Sequence, residues 1–234
     1  VCSLFNVAKA GLITSDANEY FISLADLGIP PTLTLTSSDM WQIGYGDSSV
    51  FTQFTGVNLD ANSVFTTGLP GAFINTSAST LNYLGFAIPA GEIWMHPGDA
   101  NNLSTILRFI APQASDYNFD ALFKAIDSSQ SRSSGSGDIA ISILRNNIHL
   151  DGQIIDKTPD TQPPQPDSFN YIDSLALQEN DVVSFIIGRA GDFYFDDSTL
   201  LKVTVTYDDG ILDEEDVEVS EPSTLTIFAL GMIG

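Results

Sequence analysis

Cysteine is almost absent: Cys2 is the only one in 234 residues. No disulfide can form within the chain, so the core must hold by packing alone. Cys2 is no lipid-attachment cysteine, since too little sequence precedes it, and cysteine usage by itself does not fix the compartment. Basic residues are nearly as scarce, with 8 Lys and Arg against 30 Asp and Glu and a formal net charge of -22. That balance excludes nucleic acid, whose phosphates need clustered Lys and Arg. It also disfavours docking on anionic lipid heads. It suits a solvated surface, cations, or neutral ligands such as sugars. The two histidines, His96 and His149, are far apart and fit neither a Ser-His-Asp nor a zinc spacing. G-x-S-x-G, P-loop and CxxC motifs are missing. With 30 acids, carboxylate pairs of the glycosidase kind arise by chance. A non-catalytic protein is expected.

What is present is β-structure. Sustained helical periodicity is hard to find. Short alternating or β-branched runs dominate, separated by Gly, Pro, Asn, Asp and Ser. Residues 31–36 (PTLTLT), 139–144 (IAISIL), 182–187 (VVSFII) and 201–207 (LKVTVTY) are the clearest. In the last, Leu201, Val203, Val205 and Tyr207 point one way and Lys202, Thr204 and Thr206 the other, which predicts a strand with one wet face. Trp41 to Gly46 alternates in the same manner. Arg145-Asn146-Asn147 predicts a hairpin turn, because Asn tolerates positive φ. His149 beside it should be exposed, and His96, before Pro97-Gly98, should pack or hydrogen-bond at a turn. Residues 127–138 (DSSQSRSSGSGD) and 158–166 (TPDTQPPQP) predict surface loops, the second stiffened by proline. Many short strands joined by such loops indicate an all-β sandwich or barrel.

The two ends have the character of targeting segments. Residues 1–10 (VCSLFNVAKA) are mostly apolar or small, and Ala8-Lys9-Ala10 fits small-x-small cleavage, so we expect the end of a truncated signal peptide cut after Ala10. A β-domain is then expected over 11–207. From Asp208 onward eight acids fall in fourteen residues (DDGILDEEDVEVSE). Such a run self-repels and solvates, which predicts an extended linker over 208–220. Glu221-Pro222-Ser223-Thr224 follows, then the apolar LTIFALGMIG, shorter than the roughly 20 residues a membrane helix needs.

The stretch Val219-Ser220-Glu221-Pro222-Ser223-Thr224-Leu225 resembles the PEP-CTERM sorting signal. Ser220 stands where the first Pro of that signal's core is usual, and the basic cluster that closes it is missing. The resemblance implies a partial transmembrane helix over 221–234, with Glu221, Pro222, Ser223 and Thr224 as the sorting residues. The partner it implies is an exosortase at the inner membrane. The destination is the cell surface or an extracellular, biofilm or exopolysaccharide matrix.

The body carries a second resemblance. His96-Pro97-Gly98, then Arg108-Phe109-Ile110-Ala111-Pro112, the Arg145-Asn146-Asn147 hairpin, and the 191–199 segment (GDFYFDDST) before the last strand follow one another in order. They resemble jelly-roll β-sandwich domains of the galactose-binding, carbohydrate-binding-module kind over about 41–207. The fold implied is a jelly-roll β-sandwich, and the ligand an extracellular polysaccharide. Exposed aromatic rings stack on sugars, whereas buried ones fill a core. Trp41, Trp94 and Tyr194 are the candidates, with the core reading open for both tryptophans. Asp192, Asp196 and Asp197 surround Tyr194. Clustered carboxylates suit Ca²⁺, and related sandwiches hold a structural calcium. A solvated, self-capping turn is the other reading. Asn75-Thr76-Ser77 matches the N-glycosylation pattern.

Overall fold

The computed structural model describes residues 10–26, 40–54, 70–75, 77–83, 86–126, 138–155, 167–190 and 197–212. The strand expected at 31–36, the loops expected at 127–138 (but for Asp138) and 158–166, and the segment 213–234 lie outside these residues.

Eight strands carry the architecture: β7 (Ile93–His96), β8 (Ser104–Ile110), β9 (Ser115–Ala125), β10 (Ile139–Arg145), β11 (Ile148–Ile155), β12 (Ser168–Leu177), β13 (Val182–Arg189) and β14 (Thr199–Leu212). Before them come β1 (Ala10–Asp16), α1 (Ala17–Asp26), β2 (Trp41–Gly46), β3 (Phe51–Gln53), β4 (Gly71–Ile74), β5 (Leu81–Tyr83) and β6 (Phe86–Ile88). Two six-stranded antiparallel sheets result. The first runs β12-β9-β14-β7-β4, with β1 also on β14, and the second runs β11-β10-β13-β8-β2-β3. From β7 to β14 every connection crosses between the sheets except the β10–β11 hairpin. That is the jelly roll, two Greek keys wound into a sandwich. β2–β3 and β4 widen its two sheets on one side.

The core follows from alternation. β9 reads in and out without a break, placing Tyr117, Phe119, Ala121, Phe123 and Ala125 inside. β14, paired beside it in the same sheet, points Leu201, Val203, Val205 and Tyr207 inward, as its sequence predicts, while Lys202 is exposed. The second sheet contributes Trp41, Phe109, Ile141, Val183 and Phe185. Aromatic rings tie the layers together: Phe109 meets Tyr117 at 5.4 Å and Phe119 at 5.5 Å, and Phe119 meets Phe185 at 6.2 Å between centroids. Burial of this kind supplies the driving force that no disulfide adds.

Two turns close one end of the second sheet. Asn146 and Asn147 have φ of 48° and 67°, the backbone of a two-residue primed turn. The Asn146 side chain donates to Asp181 Oδ1 at 2.7 Å and accepts from the Val182 amide at 2.9 Å. Arg145 donates to Asp181 Oδ2 at 2.8 Å. The hydrogen bond from Asn146 comes first among the contacts that hold the Asp181 carboxyl below the usual carboxylate range.

Three sequence expectations change here. α1 is a helix where none is expected. Asp16 Oδ1 accepts the amides of Asn18 at 2.8 Å and Glu19 at 3.2 Å, an N-cap with Glu three residues on, and Phe21 anchors the helix in the core. Ala10, expected to leave with the leader, opens β1. β14 extends past Tyr207 into the expected linker, pairing Asp208 with Leu12 and Leu212 with Ala10. The reason is geometric: β7 covers only Thr199 to Leu201 of that edge, and the remainder needs backbone partners, which β1 supplies.

Candidate functional site

The outer face of the first sheet is an ordinary solvated one over most of its area. Asp116, Asn118, Asp120, Lys124 and Lys202 are exposed there. Asp16 Oδ2 accepts from Thr204 at 3.0 Å. Burial raises the Glu92 carboxyl, opposed by the positive charge of Lys202.

The outer face of the second sheet is different. Register places Gln42, Arg108, Ser184 and Leu144 in one row across β2, β8, β13 and β10. The next row holds Gly44, Ile106, Ile186 and Ser142. Ile106, Leu144 and Ile186 form a small apolar cluster against which Phe51 packs. β8 and β13 are thus buried on both faces, which explains their near-continuous apolar sequences. Arg108 is the only charge in β8.

The β2–β3 hairpin delivers Phe51 to this face. Asp47 Oδ1 accepts the amides of Ser49 at 2.7 Å and Val50 at 2.8 Å and the Ser49 hydroxyl at 2.7 Å. These bonds, the Ser49 hydroxyl first, hold the Asp47 carboxyl below its ordinary value. A depressed carboxylate stabilises above its unfolded pKa and loses that contribution as pH falls through the folded one. Acid should therefore open the turn only below the ordinary aspartate range. Amide NMR of Ser49 and Val50 during acid titration checks this, and collapse near neutrality contradicts it. After the turn, the Phe51 ring folds back over Gly44, where a Cβ would lie 2.7 Å from a ring carbon and 2.3 Å from the Thr52 carbonyl. Only glycine leaves that space.

On Phe51 rests the Arg108 guanidinium, its Cζ 3.9 Å from the ring centroid. Arg108 is half-buried, and burial lowers its pKa, though a guanidinium stays charged in proteins. Its Nε is buried without an acceptor, and among the described residues no carboxylate pairs with it. A fixed cation beside an aromatic ring at the partly exposed margin of a sheet can hold a polar, ring-shaped ligand by hydrogen bonds and stacking.

The residues singled out in the sequence fall elsewhere. Trp41 is fully buried, its Nε1 donating to Ser15 Oγ at 2.8 Å and its ring 5.1 Å from Phe109. It is a core residue and presents no face to a sugar. Trp94 lies on the outer side of the first sheet but is covered, clustering with Phe73, Ile88 and Leu200 and with Leu81 of β5 packed on it. Tyr194, Asp192 and Asp196 lie outside the described residues. Asp197 is fully buried at the entry to β14, and among the described residues no group of three potential metal ligands forms. Glu221, Pro222, Ser223 and Thr224 also lie outside, and no helix among the described residues is long and apolar enough to cross a membrane.

His96 packs at its turn, with Nδ1 2.7 Å from the Pro97 carbonyl, and His149 is exposed. Asn75 is no glycan acceptor. It is fully buried, its Nδ2 donating to the carbonyls of Ser79 and Ile88 and its Oδ1 accepting from Ser77. Phe51 and Arg108 have no motif signal as site residues; the hint is one charge inside the apolar run 104–111.

No protein-family model matches the chain, and no curated protein does. Solved structures similar to it include a family 51 carbohydrate-binding module from Clostridium perfringens in complex with methyl-galactose. That match has 10% identity, covers 60% of this chain and 91% of that one, and has a TM-score of 0.35. Tandem family 51 modules from Streptococcus pneumoniae match at 11% identity over 75% and 47% of the two chains, TM-score 0.39. A family 35 carbohydrate-binding module from Clostridium thermocellum matches at 11% over 62% and 87%, TM-score 0.27.

Proposed function

We propose that this chain is an exported, non-catalytic jelly-roll domain that binds extracellular polysaccharide at the partly exposed Phe51–Arg108 contact, where the β2–β3 hairpin meets the outer side of its second sheet. The observation that carries this reading is the half-buried Arg108 guanidinium held over Phe51 with no ion-pair partner among the described residues. Sugar hydroxyls accept from such a donor, and the apolar face of a pyranose packs on an aromatic edge. The strongly acidic composition removes nucleic acid from consideration.

A glycan array or retention on insoluble polysaccharide tests the proposal. Wild-type protein should be retained by at least one glycan, and Phe51→Ala should weaken that binding tenfold or more. Retention by none, or full retention of Phe51→Ala, overturns it.

Export is the second element of the proposal, and its support is the sequence Ser220-Glu221-Pro222-Ser223-Thr224 after the acidic run. In this reading an exosortase at the inner membrane processes the tail and releases or anchors the domain in a surface matrix. Intact mass of the protein expressed with and without an exosortase decides the matter. Loss of the tail in the presence of the enzyme is expected, and an unchanged C-terminus contradicts it.

A further inference from the structure

We propose that two copies of this chain associate side by side through β12, the two β12 strands running antiparallel and joining the two first sheets into one. This interface is independent of the glycan reading and lies on the opposite side of the sandwich from Phe51.

Exposed apolar side chains concentrate on that side. The strands that end the two sheets there, β12 and β11, touch across the sandwich. Seven large hydrophobic residues are exposed among the described residues. Ile172 lies on β12, Ile148, Leu150 and Ile154 lie on β11, and Leu122 lies on β9 beside β12. Only Leu12 and Val50 fall elsewhere. Ile172 is open to solvent, at 71% exposed, and Asn170, Asp173, Ser174 and Ala176 on the same strand are exposed with it.

The backbone of β12 is suited to pairing. It matches β9 residue for residue from Ser168 to Leu177 without a bulge. Among the described residues no strand pairs with its other side. Protein edges of this kind are commonly blunted by Lys, Pro or a bulge. β12 (SFNYIDSLAL) has neither Lys nor Pro. β11 is blunted, because its register on β10 shifts at Leu144 and passes over Leu150. Regular edge backbone therefore belongs to β12, and β11 brings apolar side chains alongside.

The occupant is a second copy because the strand complements itself. Phe169, Tyr171 and Leu177 point inward, and a continued sheet keeps its faces only if odd-numbered residues stand opposite odd ones. Three antiparallel registers then lay the middle of the strand on itself. Centring on Asp173 sets two carboxylates against each other, which destabilises the pair. Centring on Tyr171 sets Asp173 against Phe169. Centring on Ile172 sets Phe169 opposite Leu175, Asn170 opposite Ser174 and Tyr171 opposite Asp173. The exposed Ile172 then meets its own copy on the two-fold axis. Such self-matching is the condition for an isologous two-fold interface.

The net charge of -22 on each copy opposes association, so the dimer is weak at low ionic strength and tightens as salt screens the repulsion. β2 and β3 lie at the far end of the second sheet from β11, so a dimer leaves that side free in both copies and displays it twice.

Sedimentation equilibrium of the full chain, over a concentration series at low and high salt, tests the proposal. Wild-type protein should show a monomer–dimer equilibrium that moves toward dimer as salt rises. Ile172→Lys puts two like charges on the axis and should weaken association tenfold or more. Leu12→Lys, at a site just as exposed on β1, should dimerise like wild type. Single cysteines in a Cys2→Ser background read the register. Ile172→Cys should form an intermolecular disulfide on mild oxidation, and Ser174→Cys, which stands opposite Asn170, should not. A monomer at every concentration and salt overturns the proposal. So does a dimer indifferent to Ile172→Lys, because association through any other segment would survive that change. Equal cross-linking of the two cysteines overturns the register centred on Ile172.

Discussion

Replacing Trp41 by alanine is expected to destabilise the protein by about 3–5 kcal/mol, the range for truncating a large buried aromatic. The ring is fully buried, packs edge-on to Phe109, and donates to Ser15 Oγ across the gap between β2 and β1. Truncation would leave a cavity between the sheets and strip Ser15 of its donor. Trp41→Phe, which keeps most of the volume, should cost clearly less. Urea unfolding with an unchanged slope measures both. A loss below about 1 kcal/mol, accompanied by loss of glycan binding, would return Trp41 to the role of a sugar platform and remove it from the core.

Gly44→Ala carries the second large effect, and it reaches the site. The added methyl would lie 2.3 Å from the Thr52 carbonyl and within 2.8 Å of two Phe51 ring carbons. Backbone on one side and an aromatic ring on the other leave two ways out. Either β3 moves off β2 or Phe51 leaves Arg108. Overpacking of this kind costs about 1–3 kcal/mol. Either movement breaks the contact with the guanidinium, so glycan binding should fall as far as in Phe51→Ala. Calorimetric binding and thermal unfolding on the same sample check both effects together. Unchanged affinity in a folded Gly44→Ala protein would show that the position of Phe51 does not matter.

The fold was legible wherever alternation was clean. Residues 201–207 and 139–144 carry a period of two, and the structure places their apolar sides inward. Arg145-Asn146-Asn147 gave its turn because positive φ selects Asn. The helix α1 escaped because a ten-residue helix of under three turns leaves little periodic signal, and its cue was the single Asp16-to-Glu19 spacing. The extension of β14 escaped because acids are poor strand formers, yet an unpaired edge beside β7 recruited them.

The site was less legible than the fold. Aromatic residues carry the same letters whether they fill a core or face solvent, and Trp41 and Trp94 prove to be covered. Phe51 and Arg108 acquire meaning only through register. Phe51 reaches Arg108 from the far side of β2, and no spacing in sequence records that contact.

The most direct measurement is an NMR titration of the labelled protein with the best glycan from the array. Perturbations should centre on the Arg108 guanidinium, the Phe51 ring and the amides of Gln42 and Ser184, where the β2–β3 hairpin meets the second sheet. Perturbations confined to the first sheet, with those four groups unmoved, would contradict it.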